Sequence, residues 1–251
     1  MASAWYAQSM SSMVLSLAPL YSGAFFSLAS DWPEYRGPNA DGVALGAAVP
    51  LEWSEERNVR WKTAIHGRGW STPVVLGERI WLTTATPKGT QLSVLALDLA
   101  SGRVIVDKVL YEIESPEPRN SLNSYASPSP VVADGRVIVH FGTYGTACLD
   151  AEIAEVIWER RDLKCDHIEG PGSSPFLHDR RVFLHVDGGD VQYLTALDVE
   201  TGETLWRTDR SIDLTSLEPD YRKAYSTPIL AHVMTEEGVV EELVSSAARA
   251  T

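Results

Sequence analysis

Two carboxylates on a glycine-rich turn, Asp187-Gly188-Gly189-Asp190, come nearest to a metal site in this sequence. Calcium takes oxygen ligands from short flexible loops, so the pair is a candidate for one corner of such a site. The same residues are what a hairpin turn requires, and that reading is the stronger, so no metal is expected. Cys148 and Cys165 stand 17 residues apart without CxxC or Cys/His ligand spacing, which argues against structural zinc. Cys148 reads as a small buried thiol, and a disulfide between the two is the weaker reading. Among the histidines, His140 and His185 hold equivalent places in two similar runs and suggest packing, whereas His66, His167, His178 and His232 share no spacing. No Ser/His/Asp, P-loop or dinucleotide signature is present. The better candidates for a ligand surface precede recurring Ser-Pro steps: Arg68 and Trp70, then Asn120, Asn123 and Tyr125, then Tyr221, Arg222 and Tyr225. Aromatic rings with Arg and Asn suit sugar, peptide or cofactor contacts, although packing between elements uses the same residue types.

What must position these residues is a repeat. Ser-Pro or Ser-Thr-Pro leads into an apolar run at Pro73, Pro130, Pro175 and Pro228, spaced 57, 45 and 53 residues apart. After the first three, an Asp recurs in Ala96-Leu97-Asp98, Cys148-Leu149-Asp150 and Ala196-Leu197-Asp198. Eight residues beyond each Asp stands Val106, Trp158 or Trp206. Between the two landmarks lie β-branched and aromatic runs beginning at Arg79, Arg136 and Arg181, set off by turns such as Asp134-Gly135. Four short antiparallel strands per ~50 residues is the blade of a β-propeller. The fold class is therefore all-β, a partial ring of about four blades at residues 64–114, 124–164, 170–213 and 222–251, the last truncated. A ring of this repeat takes seven or eight units and about 350–400 residues, so the chain reads as a fragment. Asn58-Val59-Arg60-Trp61-Lys62 resembles the outer strand of a further blade, and without that blade it is expected to be displaced or poorly packed.

The formal charge is −13, from 34 acidic and 21 basic residues, which disfavours nucleic acid and anionic membranes as partners. Asp31 is the first charged residue. The apolar stretches before it, closing in Leu28-Ala29-Ser30, resemble the hydrophobic and cleavage regions of a secretory signal peptide, with a single membrane anchor as the alternative. No basic residue precedes Arg36, so the usual basic start is missing, and no cysteine stands near the cleavage point to carry a lipid anchor. The division is 1–30 signal, 31–57 N-terminal extension and 58–251 partial propeller, with a periplasmic or secreted location.

Ala-x-Asp-x-x-x-Gly-x-x-x-Trp, complete from Ala196 to Trp206, resembles the tryptophan-docking motif of quinoprotein alcohol dehydrogenase-like (PQQ-like) propellers. The first unit keeps Asp98 and Gly102 but has Val106 in the Trp place, and the second keeps Asp150 and Trp158 but has Ala154 for the Gly. By this resemblance Trp61, Asp98, Gly102, Asp150, Trp158, Asp198, Gly202 and Trp206 dock blades, the Gly permitting a tight turn. The stretch from Trp32 through Arg36-Gly37-Pro38 to Gly42 is similar to the start of exported propellers of this kind. The resemblance offers two functions. One is a binding or scaffold module for protein or envelope-polymer partners. The other is a fragment of a quinone-dependent alcohol or sugar dehydrogenase holding pyrroloquinoline quinone (PQQ) and calcium. Such dehydrogenases sandwich the quinone between a tryptophan and adjacent cysteines, which this sequence lacks, so no cofactor is expected and an enzyme is the weaker reading.

Overall fold

Proline has no N–H for a β-ladder, so the recurring prolines belong at strand starts. In the computed structural model, which describes residues 31–46 and 49–248, each stands just before the first strand of a sheet. The first sheet runs β1 (Val74–Leu76), β2 (Arg79–Ala85), β3 (Gln91–Asp98) and β4 (Val104–Glu112). The second runs β5 (Val131–Ala133), β6 (Arg136–His140), β7 (Thr146–Asp150) and β8 (Val156–Arg160). The third runs β9 (Phe176–His178), β10 (Arg181–Asp187), β11 (Gln192–Asp198) and β12 (Thr204–Asp209). A hairpin of β13 (Ile229–Thr235) and β14 (Gly238–Val244) forms the fourth. Every pairing is antiparallel between sequence neighbours, so the chain is an arc of propeller blades. The reading of residues 1–30 as an export signal lies outside the described residues.

The second and third strands of the first three blades are buried on both faces, which is why they read as near-continuous apolar runs, whereas the β13–β14 hairpin is largely exposed. Val137 and Val139 of β6 pack towards the first blade with Val94 and Ala96, while Ile138 packs towards the third with Val182 and Leu184. Phe183 and Ala196 face the opposite way, against Leu230 and Leu243 of the hairpin. The core is thus a series of layers between blades.

A second device stitches the inner rim. Thr72 N–H donates to Ser129 Oγ at 2.8 Å, Ser129 N–H to Ser174 Oγ at 2.9 Å, and Ser174 N–H to Thr227 Oγ1 at 3.1 Å. These four residues immediately precede the four prolines, and the hydroxyls of Ser129, Ser174 and Thr227 each accept the backbone N–H of the corresponding residue in the preceding blade.

Candidate ligand site on the propeller axis

Residues 31–42 are laid across the inner strands. Trp32 exchanges backbone hydrogen bonds with Val75 of β1, both at 2.8 Å, and Pro33 O accepts Val132 N–H of β5 at 2.8 Å. Glu34 then lies against Pro175, Phe176 and Pro228 of the third and fourth units. The segment turns back on itself through Gly37 N–H to Glu34 O at 3.0 Å and Gly42 N–H to Arg36 O at 2.8 Å. A Cβ at Gly37 would stand 2.7 Å from the Trp32 ring, so the Trp and Gly of this stretch meet face to face. Apolar surroundings push the Glu34 carboxyl up to about 7.

Above this strap opens a cavity of about 530 Å³ on the axial side of the arc. Tyr35, Arg36, Trp70, Ser127, Tyr225 and Ser246 are among its lining residues. Trp70 is 54% exposed, yet its ring is fixed because Nε1 donates to Leu122 O at 2.9 Å. Arg68 lies over that ring, 5.9 Å from its centroid. Tyr225 packs over Gly172, where a Cβ would come within 2.9 Å, and the buried Lys223 ammonium sits 5.7 Å from its ring. Arg36 makes no hydrogen bond or ion pair through its guanidinium among the described residues, and its ring contact is with Tyr35 at 6.0 Å.

Of the eight ligand-surface candidates, Trp70, Asn123 and Tyr225 line this cavity and Arg68 abuts it. Asn123 is spent on structure: its amide donates to Glu169 O at 2.7 Å and Pro171 O at 3.1 Å. The other four stand elsewhere. Tyr125 is buried and donates to Glu117 O at 2.7 Å, and Asn120 accepts Leu122 N–H at 2.9 Å. Arg222 ties down its own loop through Leu217 O at 2.7 Å and Thr215 O at 3.1 Å, and Tyr221 is exposed outside the lining. The sequence marked Trp32 to Gly42 as a motif but not Glu34, Tyr35 or Arg36 as site residues, because nothing local places a segment before the first repeat beside the cavity.

Trp61 and Trp158 dock with one geometry, whereas Trp206 lies on Phe183 of its own blade, with ring centroids 6.0 Å apart. Trp61 Nε1 donates to Leu99 O at 3.0 Å and Trp158 Nε1 to Val199 O at 2.9 Å, each indole lying over the Gly102 or Gly202 turn of the next blade. The expected displacement of residues 58–62 is corrected at Trp61, which is half-buried in this way, although Asn58, Val59, Arg60 and Lys62 are exposed and form no strand. The indole finds its partner in the first blade. The residue two places on also crosses each interface: Thr63 Oγ1 to Gly102 O at 2.6 Å, Lys108 Nζ to Ala154 O at 2.8 Å, Arg160 Nη1 to Gly202 O at 2.7 Å. Asp98, Asp150 and Asp198 accept N–H groups of their own turns, at 2.7, 2.8 and 2.8 Å. Those hydrogen bonds, from Ser101 to Asp98 and from Ile153 to Asp150, hold the two carboxyls below the usual range.

The Asp187 and Asp190 candidates do not converge. Asp187 is buried between His185 Nε2 at 2.7 Å and Arg210 Nη2 at 3.1 Å, while Asp190 Oδ1 accepts Asp166 N–H, from the loop between β8 and β9, at 2.7 Å. Among the described residues no group of three or more His, Cys, Asp or Glu side chains could hold a metal. The fold does assemble a Ser/His/Asp set that sequence spacing hid: Ser245 Oγ lies 3.0 Å from His185 Nδ1. Arg210 donates to that same Ser245 Oγ and to Ser245 O, both at 2.9 Å, and the His185 side chain is 0% exposed. The set therefore clamps the chain after β14 to the third blade. Both cysteines are free and buried, and burial pushes the Cys148 thiol up to about 12.

A family model described as outer membrane protein assembly factor BamB matches residues 51–161 and 93–237 of this chain. The chain belongs to this PQQ-like propeller family. Among curated proteins no sequence matches it. Among solved structures, the PQQ-like arc is similar to quinohemoprotein alcohol dehydrogenase from Comamonas testosteroni, at 19% identity and a TM-score of 0.50, over 73% of this chain and 28% of that one. It is also similar to BamB from Moraxella catarrhalis, at 21% identity and a TM-score of 0.42, over 61% of this chain and 41% of that one. The chain thus spans less than half the length of either, and the first likeness shows fold alone. The described residues do not fit PQQ with calcium. Cys148 and Cys165 are separate buried thiols, Asp187 is consumed by His185 and Arg210, and no carboxylate set gathers beside Trp70.

Proposed function

We propose that this PQQ-like propeller is an exported binding or scaffold module whose partners are proteins or envelope polymers. The observation that carries the reading is the axial cavity, where the Trp70 and Tyr225 rings are held in place yet left exposed. Rings fixed before binding lose little freedom on contact, which is how a recognition surface is built. The periplasmic or secreted location is supported by the uncharged apolar leader and by the envelope role named in the family's description. No helix among the described residues is long and apolar enough to cross a membrane. Calorimetric titration of the full chain with PQQ, with and without calcium, tests the proposal. No heat above dilution is expected. Saturable binding that requires calcium would overturn the scaffold reading in favour of the dehydrogenase.

A further inference from the structure

We infer that the axial cavity takes a carboxylate-bearing saccharide, with Arg36 receiving the carboxylate and Trp70 and Tyr225 carrying the sugar ring. The inference rests on the binding-module reading and names the ligand class for its site. Charge is the first observation. In a chain of formal charge −13, the one charged side chain among the cavity's lining residues is a guanidinium, and no carboxylate of the described residues answers it. Arg57 meets Glu52 at 2.5 Å, Arg160 meets Asp162 at 2.6 Å and Arg207 meets Asp209 at 2.8 Å, whereas Arg36 at the cavity wall meets no acid among the described residues. A planar guanidinium left open at a cavity wall matches a carboxylate in two-point geometry.

The remaining lining sets the rest of the ligand. Tyr35, Trp70 and Tyr225 present faces 43%, 54% and 41% exposed, and rings of this kind accept the C–H face of a pyranose or another flat apolar surface. Ser127, Ser174, Ser226, Thr227 and Ser246 line the wall between them, the Ser127 and Ser226 hydroxyls donating to Asn123 and to Ser246 O. A volume of about 530 Å³ fits a di- or trisaccharide within the usual range of ligand pockets. The backbone of Arg36 is held by the Gly42 N–H to its carbonyl at 2.8 Å, on a strap that is itself hydrogen-bonded to β1 and β5, so the base of the arginine is fixed at the cavity wall. A neutral sugar would leave the guanidinium unanswered, and a nucleic acid would bring phosphates into an acidic protein.

Calorimetric titration of the full chain compares oligogalacturonate with its methyl-esterified form, which keeps the rings and loses the charge. The expected result is saturable binding of the acid form, weakened about tenfold by esterification, as loss of one charged hydrogen-bonded contact implies. Arg36→Gln should weaken the acid form by the same factor and leave the ester unchanged, while Trp70→Ala should weaken both. Equal binding of the two forms, unaffected by Arg36→Gln, would overturn the acid-sugar inference and leave the binding module standing. Displacement of the acid form by millimolar sulfate alone, with no added affinity from the rings, would overturn it as a bare anion site. Absence of binding to either form would overturn it outright, whereas calcium-dependent PQQ binding would remove the module reading beneath it.

Discussion

The interface between the first and second blades and that between the second and third are built on the same plan with different parts. In the second, Trp158 lies over Gly202, where a Cβ would stand 2.7 Å from the indole. In the first, the tryptophan place is Val106 and the glycine place is Ala154, and both belong to one buried cluster. Ala154 nevertheless has φ 58°, close to the 71° of Gly202 and the 70° of Gly102. The turn therefore does not by itself demand glycine, and the sequence-based expectation that glycine serves the tight turn is incomplete. Glycine is required where an indole arrives from the neighbouring blade, and where the indole is gone a methyl group returns to fill its space. Two departures from the motif, some fifty residues apart, thus meet in one cluster, which predicts that they are one compensated change.

The strongest way to break this comparison is to put the wrong part in one interface. Gly202→Ala forces a methyl into the Trp158 ring and should cost about 2–4 kcal/mol in urea unfolding, from overpacking plus left-handed backbone strain. Trp158→Val should also destabilise, by lost burial and a lost indole hydrogen bond. Made together, the pair copies the first interface, and the loss should fall short of the sum of the singles by more than about 1 kcal/mol. Additive losses would mean that the Val106–Ala154 pairing is coincidence.

Acid should load the second interface from its axial side. Burial brings His140 down to about 3 and His167 down to about 4, so both stay neutral when folded. His167 Nε2 accepts Thr143 N–H at 3.1 Å and stands against Cys165, a member of the cluster shared by the second and third blades. Unfolded, each imidazole charges below about pH 6.5, so the unfolded state binds more protons and stability falls as the pH drops towards 4. Glu34 works the other way: protonated more readily when folded, it favours the native state as pH falls below about 7. Between pH 7 and 5 the net loss should be about 2 kcal/mol, with hydrogen exchange rising in β6 and β10 before β3. His167→Gln, which can still accept the Thr143 N–H, should flatten the slope, and an unchanged slope would remove His167 as its source.

The all-β class and the order of the strands were legible in the sequence because the units recur, and a recurrence reports a packing problem solved repeatedly. The same signal extended further than the motif. The hydroxyls of Ser129, Ser174 and Thr227, each before a proline, link neighbouring inner strands. The arginine opening each second strand also crosses: Arg79 reaches Glu152 O at 2.6 Å, and Arg136 reaches Glu200. Arg181, at the same place in the third blade, instead turns to Asp179 at 3.3 Å. The axial site was less legible because it is assembled once. Trp70 and Tyr225 come from loops 155 residues apart, and Arg36 from a segment outside the repeat. Single convergences of distant residues leave no period to read, and the Ser245–His185–Asp187 clamp was hidden for the same reason.

Trp206 gives a smaller effect that sharpens the comparison. It occupies the docking place of the third blade, opposite Ala196 as Trp158 is opposite Cys148. It is 36% exposed against 8% for Trp158 and lies on its own blade's Phe183, with ring centroids 6.0 Å apart. Trp206→Val in this chain should cost less than about 1 kcal/mol, well below the loss at Trp158, because little area leaves water and the Phe183 contact is a single ring pair. Equal losses at the two sites would show that the indole stabilises its own blade and not the joint with the next.

The smallest expected change is also the one whose sign carries most information. Ala154→Gly relieves a left-handed alanine, which favours the fold by about 1 kcal/mol. Against this stand the extra freedom of glycine in the unfolded chain, about 0.4–1 kcal/mol, and the contacts of a methyl that is 4% exposed within the cluster. If that methyl fills the place of the missing indole, the terms oppose and the net effect should stay within about 0.5 kcal/mol of zero, or be slightly destabilising. A clear stabilisation would mean that the methyl packs on little and that Val106 leaves a gap. A second background separates these cases. Val106→Trp alone should be poorly tolerated, because the new indole meets the Ala154 methyl. The double variant Val106→Trp/Ala154→Gly should tolerate it better, since it rebuilds the joint seen at Trp158.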